Sequence, residues 1–184
     1  MNTQSGPEIR VIRCRRKSVG IRVTDDGEVI VRAPLRMADR ELRQILEGKK
    51  AWIEKTLAKV RAREAAPKFT REEIESLAQQ ALKEIPPRVR AWAGQIGVTY
   101  GRITIRNQRT RWGSCSSKGN LNFNCLLMRC PEDVLDYVIV HELCHRKELN
   151  HSPRFWAEVE RVLPAYRASR KWLKNEGQDL ITRL

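Results

Sequence analysis

All three histidines of the 184-residue chain fall between positions 141 and 151, and that clustering dictates backbone geometry. His141 and His145 bracket the run His-Glu-Leu-Cys-His. On an α-helix, residues four apart lie one turn apart and about 40° round the axis, so both imidazoles can face one point. Glu142 projects to another side of the same turn, within reach of a water held at that point. The preceding segment reads as a helix. Pro131 has the fixed φ of a first turn, Glu132 and Asp133 suit the positive end of the dipole, and Val134, Leu135, Val138 and Ile139 are apolar. His151 adds the stricter demand. On an unbroken helix it would lie about 15 Å along the axis from His141, whereas imidazoles sharing a zinc ion bond it at roughly 2.0–2.1 Å. The chain must therefore leave the helix between His145 and His151. Asn150, which tolerates the left-handed conformation, is the expected terminator. Ser152-Pro153 reads as the cap and first residue of a new helix carrying Phe155, Trp156, Val159, Val162 and Leu163.

The residue types fit one zinc ion, Zn2+, on His141, His145 and His151. Glu158 or Glu160 of the next helix is the competing choice for the third ligand. Three protein ligands leave a position open for water, whose pKa zinc lowers to about 7, and Glu142 is placed as general base. The oxyanion that develops in hydrolysis needs a donor, and Arg109, Arg111, Tyr137 and Arg154 are candidates that spacing does not separate. Arg111-Trp112-Gly113-Ser114 belongs to a strand or turn ahead of the metal helix. It either binds an extended peptide along a strand edge, or serves packing, with Trp112 in the core and Gly113 at a bend. Tyr137 and Arg154 complete the candidate substrate-binding set. Cys144 points away from the histidine pair and is expected to pack in the core, while Arg146 and Lys147 read as solvated helix residues.

Elsewhere the pattern is mixed. Val19, Ile21 and Val23 alternate with polar neighbours, Asp25-Asp26-Gly27 supplies turn chemistry, and Val29 and Val31 resume the alternation, which makes a β-hairpin closed by Pro34. Asp39 can cap a helix through Leu42, Ile45, Leu46, Trp52, Ile53 and Leu57, interrupted at Gly48. Arg61 to Lys68 reads as a connector. Thr70 and Glu73 form a capping box for a helix that Pro86-Pro87 should break or kink, with a shorter helix from Val89 to Ile96 ended by Gly97. Ile103 and Ile105 mark one strand, and Leu121, Phe123 and Cys125 another. After Pro164, Tyr166 to Lys174 continues as a final helical turn or two. The expected class is α+β. A hairpin and helix lobe, 1–66, packs with a zincin-like lobe, 67–184, of antiparallel strands around the His-Glu-x-x-His helix; one continuous domain is the alternative.

Charge and cysteine usage bound the setting. Thirty-six Lys and Arg against 22 Asp and Glu give +14, with a pI near 10.1. Such a field attracts polyanions, including nucleic acid and nucleotides, or is simply solvated basic surface. Arg10, Arg13, Arg15, Arg16 and Lys17 are clustered, but strand alternation divides them between two faces. The five cysteines form no C-x-x-C pair, which indicates inert thiols rather than a disulfide framework. No apolar run reaches bilayer length, and the polar start, Met1 to Glu8, lacks a leader's apolar stretch. A cytoplasmic protein with no membrane association is expected.

The run His-Glu-Leu-Cys-His-Arg-Lys-Glu-Leu-Asn-His-Ser-Pro-Arg-Phe-Trp, residues 141 to 156, resembles the YgjP-like metallopeptidase family. Arg111-Trp-Gly-Ser-Cys115, Gly119-Asn-Leu-Asn122 and Gly27-Glu-Val-Ile-Val-Arg-Ala-Pro34 resemble it too, so the likeness extends over nearly the whole chain. More distantly the chain is similar to SprT-like zinc proteases, some of which act on DNA-bound proteins. The resemblance implies an α+β metallopeptidase-type fold, zinc on His141, His145 and His151, and Glu142 as base. The spacing also equals that of metzincins, but Glu148 stands where they place a glycine and no methionine follows to form their Met-turn.

Three functions follow. The first is a zinc metallopeptidase acting on peptide or protein. The second is a metal-dependent phosphohydrolase acting on nucleoside triphosphates or other phosphate substrates. The third is a nucleic-acid-binding module with structural zinc, against which a positioned carboxylate argues, because structural sites are usually closed by four protein ligands.

Overall fold

The structure, a computed structural model, describes residues 8–184. The polar stretch from Met1 to Pro7, on which the expectation of no leader rests, lies outside the described residues. The described chain is mixed α+β, with two three-stranded sheets, and divides between Ala66 and Pro67 into two compact units. Among the described residues no helix is long and apolar enough to cross a membrane.

The first unit holds β1 (Ile9–Cys14), β2 (Gly20–Val23), β3 (Val29–Pro34), α1 (Asp39–Glu47) and α2 (Lys50–Ala65). β2 and β3 form the expected antiparallel hairpin, turning at Gly27 with φ 80°. That left-handed conformation is open to glycine at no steric cost. β1 lies on the other side of β3 and runs parallel to it, Ile9 opposite Val29 and Cys14 opposite Pro34. Period-two alternation sends Val29, Val31 and Ala33 to one face, where they form a core with Leu42, Ile53 and Leu57 of the helices. Two expectations are corrected here. Asp39 is the first residue of α1 rather than its cap. Ala38 occupies the cap without a side-chain bond, and the Asp39 carboxylate accepts from Arg13 instead. Gly48 ends α1 outright, and the helix restarts at Lys50, extending to Ala65 and shortening the connector.

The second unit opens with α3 (Arg71–Ile96). Thr70 accepts from the Glu73 N–H at 3.2 Å and Glu73 accepts from the Thr70 N–H at 2.8 Å, the reciprocal capping box that the sequence indicates. The helix then passes through Pro86 and Pro87 without a break, joining the two helices expected on either side. The prolines deprive the Leu82 and Lys83 carbonyls of their partners, but both residues are exposed, so water can take those bonds. Leu77, Ala81, Ile85, Val89, Ala93 and Ile96 meanwhile form a continuous buried stripe, which offsets the cost of the lost bonds. Gly97, φ 76°, ends the helix.

β4 (Ile103–Arg106), β5 (Gly113–Cys115) and β6 (Leu121–Asn124) make the second sheet, in the order β4-β6-β5. The expectation of purely antiparallel strands is corrected. β6 is antiparallel to β5 but parallel to β4, because the extra short strand β5 reverses the chain once before β6 returns. The β5–β6 turn closes with the Ser116 N–H on the Asn120 carbonyl at 2.9 Å and the Gly119 N–H on Ser116 at 2.8 Å.

A 3-10 turn (Cys125–Arg129) leads to α4 (Glu132–Cys144), with Pro131 at its cap. Nine of the residues of α4 are buried. It is packed by α3, by β5, by α5 (Pro153–Val162) and by α6 (Tyr166–Trp172). A π-turn (Leu173–Gly177) and α7 (Gln178–Ile181) carry the C-terminal helix beyond the one or two turns expected.

The segment after α4 is tied to α5 by Glu158, which accepts from Lys147 at 2.5 Å and from Arg161 at 2.7 Å. The Arg161 hydrogen bond foremost, aided by Lys147 and opposed by burial, holds this carboxyl down to about 2. A depressed carboxyl contributes stability that is fully present above its unfolded value and lost as pH falls through its folded value. Glu158→Gln should therefore lower the urea midpoint at pH 6, and the gap from wild type should shrink between pH 4.5 and pH 2. Equal gaps at pH 6 and pH 3 would contradict this assignment.

Candidate metal centre

Two helices and the bend between them bring the three imidazoles together. His141 and His145 are one turn apart on α4, and His151 immediately precedes Ser152, whose Oγ caps α5 by accepting from the Phe155 N–H at 3.2 Å. Centroids are 5.0 Å apart for His141 and His145, and 4.9 Å for each of the pairs with His151. One ligand nitrogen from each lies within 4.8 Å of the other two. The helix does leave its axis between the second and third histidines, but not at Asn150. It ends at Cys144 with His145 at the C-cap, and among the described residues none other than glycine adopts positive φ. The exit is a tight turn, with the Arg146 N–H on the Leu143 carbonyl and the Lys147 and Glu148 N–H groups on Cys144.

Side chains hold that turn. Arg146 donates to the carbonyls of Thr99 at 3.0 Å and Ser117 at 3.1 Å, and Lys147 pairs with Glu158. Both lie past the helix end rather than on it; Lys147 is exposed as expected, whereas Arg146 is half-buried by its anchoring bonds. Gly119, φ 81°, makes room: a Cβ there would lie 2.8 Å from Arg146 Cζ.

The donor set suits a cation. His145 Nδ1 is 3.0 Å from the Glu148 carbonyl oxygen. An oxygen of that kind only accepts, so Nδ1 carries the proton and Nε2 presents its lone pair. His141 is pushed down to about 3 by burial first, then by the charges of His145, His151 and Arg170, so its ring stays neutral. Burial also lowers His145. His141 Nε2 and His151 Nε2 stand 3.0 Å apart, close to the roughly 3.4 Å between two nitrogens on one tetrahedral zinc ion. His141 Nδ1 is buried with no hydrogen-bond partner. Its ring is instead fixed by edge contacts with Tyr137 at 5.8 Å and Phe155 at 4.9 Å. Among the described residues the cluster has three members. Glu158 and Glu160, the competing ligands, are engaged by Lys147, Arg161 and Arg167.

Glu142 is buried beside the cluster, and burial pushes its carboxyl up to about 8, opposed by the charge of Arg111 and a hydrogen bond from the Cys115 N–H. β5 passes so close that a Cβ on Gly113 would lie 2.7 Å from Glu142 Oε1 and 2.8 Å from its Cγ. Gly113 is thus more than a bend: its missing side chain is the space that the carboxylate occupies. Trp112, Gly113, Tyr137, Val138, His141, Glu142 and Leu173 line one concavity of about 190 Å3.

The remaining expected residues divide. Tyr137 lines the concavity, and burial pushes its hydroxyl up to about 12, against the charge of Arg170. Arg111 is exposed and acts on Glu142 through its charge. Ser114 faces β6, accepting from Asn122 Nδ2 at 3.1 Å. Arg154 is exposed at the start of α5 and does not line the concavity. Three contributors escaped the sequence reading. Arg170 of α6 lies over Trp156 at 4.3 Å, and that ring stacks on His151 at 5.6 Å. Leu173 and Gly177 come from the π-turn, where a Cβ on Gly177 would be 3.0 Å from Trp112 Cζ2. No motif marks these positions, which reach the site only through the return of α6.

Among solved structures, the chain is similar to the metallopeptidase zymogen abylysin of Pyrococcus abyssi, at 24% identity and a TM-score of 0.45, covering 50% of this chain and 95% of that one. It is similar also to the metallopeptidase zymogen jannalysin of Methanocaldococcus jannaschii, at 24% identity and a TM-score of 0.44, covering 52% of this chain and 97% of that one. No curated protein sequence matches. The family described as YgjP-like, metallopeptidase domain, matches over residues 17–77 and 66–176, and the chain belongs to that family of metal-dependent, peptidase-type hydrolases.

Proposed function

We propose that this metallopeptidase works with one zinc ion on His141, His145 and His151 and with Glu142 as general base. The observation that carries the reading is the convergence of three imidazoles next to a buried carboxylate. A zinc ion held by His141, His145 and His151 would supply Lewis-acid chemistry, polarising a scissile carbonyl and acidifying water. The chain's own residues do the rest. Glu142, raised toward neutrality by burial, takes a proton from the attacking water and delivers it to the leaving amine. The Cys115 N–H holds that carboxylate in place.

Substrate placement follows from the sheet. β5 is an edge strand with only β6 as neighbour, so its outer edge can pair with an extended peptide running past Glu142. Trp112 and Tyr137 border the same concavity and give an apolar side chain of the peptide a surface. Tyr137 lines the concavity and the Arg170 charge acts on both Tyr137 and His141, so we favour these two over Arg109 and Arg154 as the groups that meet the oxyanion. In this reading residues 67–184 are the catalytic lobe, and 1–66 the appended hairpin and helix lobe. The five free thiols suit a reducing, cytoplasmic setting.

Glu142→Gln should lower peptide turnover by at least about a hundredfold while leaving bound zinc unchanged, measured by mass spectrometry of a peptide library and by metal analysis. Full turnover, or loss of the metal, would remove Glu142 from its role. Gly113→Ala should have a comparable effect on turnover through misplacement of the same carboxylate, on the order of a hundredfold, again with zinc retained. An alanine variant as active as wild type would show that the close approach of β5 does not govern the base.

A further inference from the structure

We propose that the outer face of the N-terminal sheet is a nucleic-acid site, where Arg16, Arg22 and Arg32 bind backbone phosphates. The register places Gly20 opposite Arg32 and Arg22 opposite Ile30. These residues occupy the face turned away from the Val29, Val31 and Ala33 core. Arg16, from the connection between β1 and β2, folds back onto this face. A Cβ at position 20 would lie 2.8 Å and 2.9 Å from its two terminal guanidinium nitrogens. Gly20 is not at positive φ, so its value here is space rather than conformational freedom. Glycine weakens a strand interior and often marks the close approach of another group. Here that group is the Arg16 guanidinium.

The arginines surround a concavity of about 190 Å3 lined by Arg16, Gly20, Ile21, Arg22, Ile30 and Arg32. None of the three pairs with a carboxylate among the described residues, in contrast to Arg10 with Glu28 on the same face, Arg13 with Asp39 and Arg88 with Asp136. Arg16 Nε is moreover buried without a partner. Three guanidinium groups gathered without a counter-charge repel one another, and an anion between them removes that repulsion. The planar fork of arginine matches phosphate oxygens in a bidentate manner. Arg22 and Arg32 are exposed on an open sheet face, which suits a run of phosphates better than a small enclosed ion. The net charge of +14 steers such a polyanion toward the protein. The contacts are to backbone, so binding is independent of sequence and sensitive to salt.

The test is fluorescence anisotropy of the full-length protein with a labelled 20-base-pair DNA duplex between 50 and 200 mM salt. Arg22→Ala with Arg32→Ala should weaken binding on the order of tenfold at 0.1 M salt and reduce the salt slope by about two. Arg22→Lys with Arg32→Lys should keep the slope. Gly20→Ala, which displaces Arg16 without changing charge, should also weaken binding. Lys83→Ala with Arg90→Ala removes the same charge from exposed positions on α3 and should cost less than about twofold. Equal losses in the two alanine pairs would overturn the site, as would no duplex binding by wild type, or competition by polyglutamate as effective as by unlabelled DNA. Glu142→Gln should bind DNA as wild type does, so the outcome is independent of the peptidase reading.

Discussion

One helix is buried on nearly every side while carrying the polar groups on which the proposed chemistry rests. α4 contributes Val134, Leu135, Val138, Ile139, Val140 and Leu143 to the core, and the same helix carries His141, Glu142 and His145. Burying an unpaired carboxylate is expensive. Glu142 is tolerated because the Cys115 N–H donates to it, the Arg111 charge acts on it, and its pKa rises to about 8. Everything around the site serves that compromise. β5 must come close enough to supply the N–H, which requires glycine at 113, and Trp112 must then be packed by the glycine at 177.

The exit from α4 is the second half of the same constraint. Helix geometry keeps His151 far from His141 unless the chain turns at once. The turn from Cys144 to Glu148 does this, closed by backbone bonds. It is then held by Arg146 on the β5–β6 side and by Lys147 on α5. The Glu148 carbonyl has a further task, since it fixes the His145 tautomer. The eight residues between α4 and α5 thus close the helix, aim the third imidazole and set the proton on the second.

Local signals were legible where a single residue type decides the backbone. Thr70 with Glu73, Ser152 with Pro153, and Gly27 and Gly97 at positive φ all act where the sequence places them. The histidine spacing likewise carried enough geometry to require a bend, though not its position. Asn150 looked like the stop because left-handed tolerance is a common helix ending, whereas the real stop is a right-handed turn held by long-range side-chain bonds. Pro86 and Pro87 misled for a related reason. Their local penalty is real, but a stripe from Leu77 to Ile96 buried against α4 outweighs it. Arg170, Leu173 and the parallel pairing of β6 with β4 depend on where distant segments return. No local pattern encodes that.

The proposed metal chemistry requires that the third imidazole complete a cation site with the first two. Zinc content after exhaustive dialysis, measured on wild type and on His151→Ala folded to the same extent by circular dichroism, addresses this directly. Wild type should retain one zinc ion per chain, and the variant should retain substantially less at the same free-metal concentration. Stoichiometric zinc in His151→Ala, or none in wild type, would contradict it.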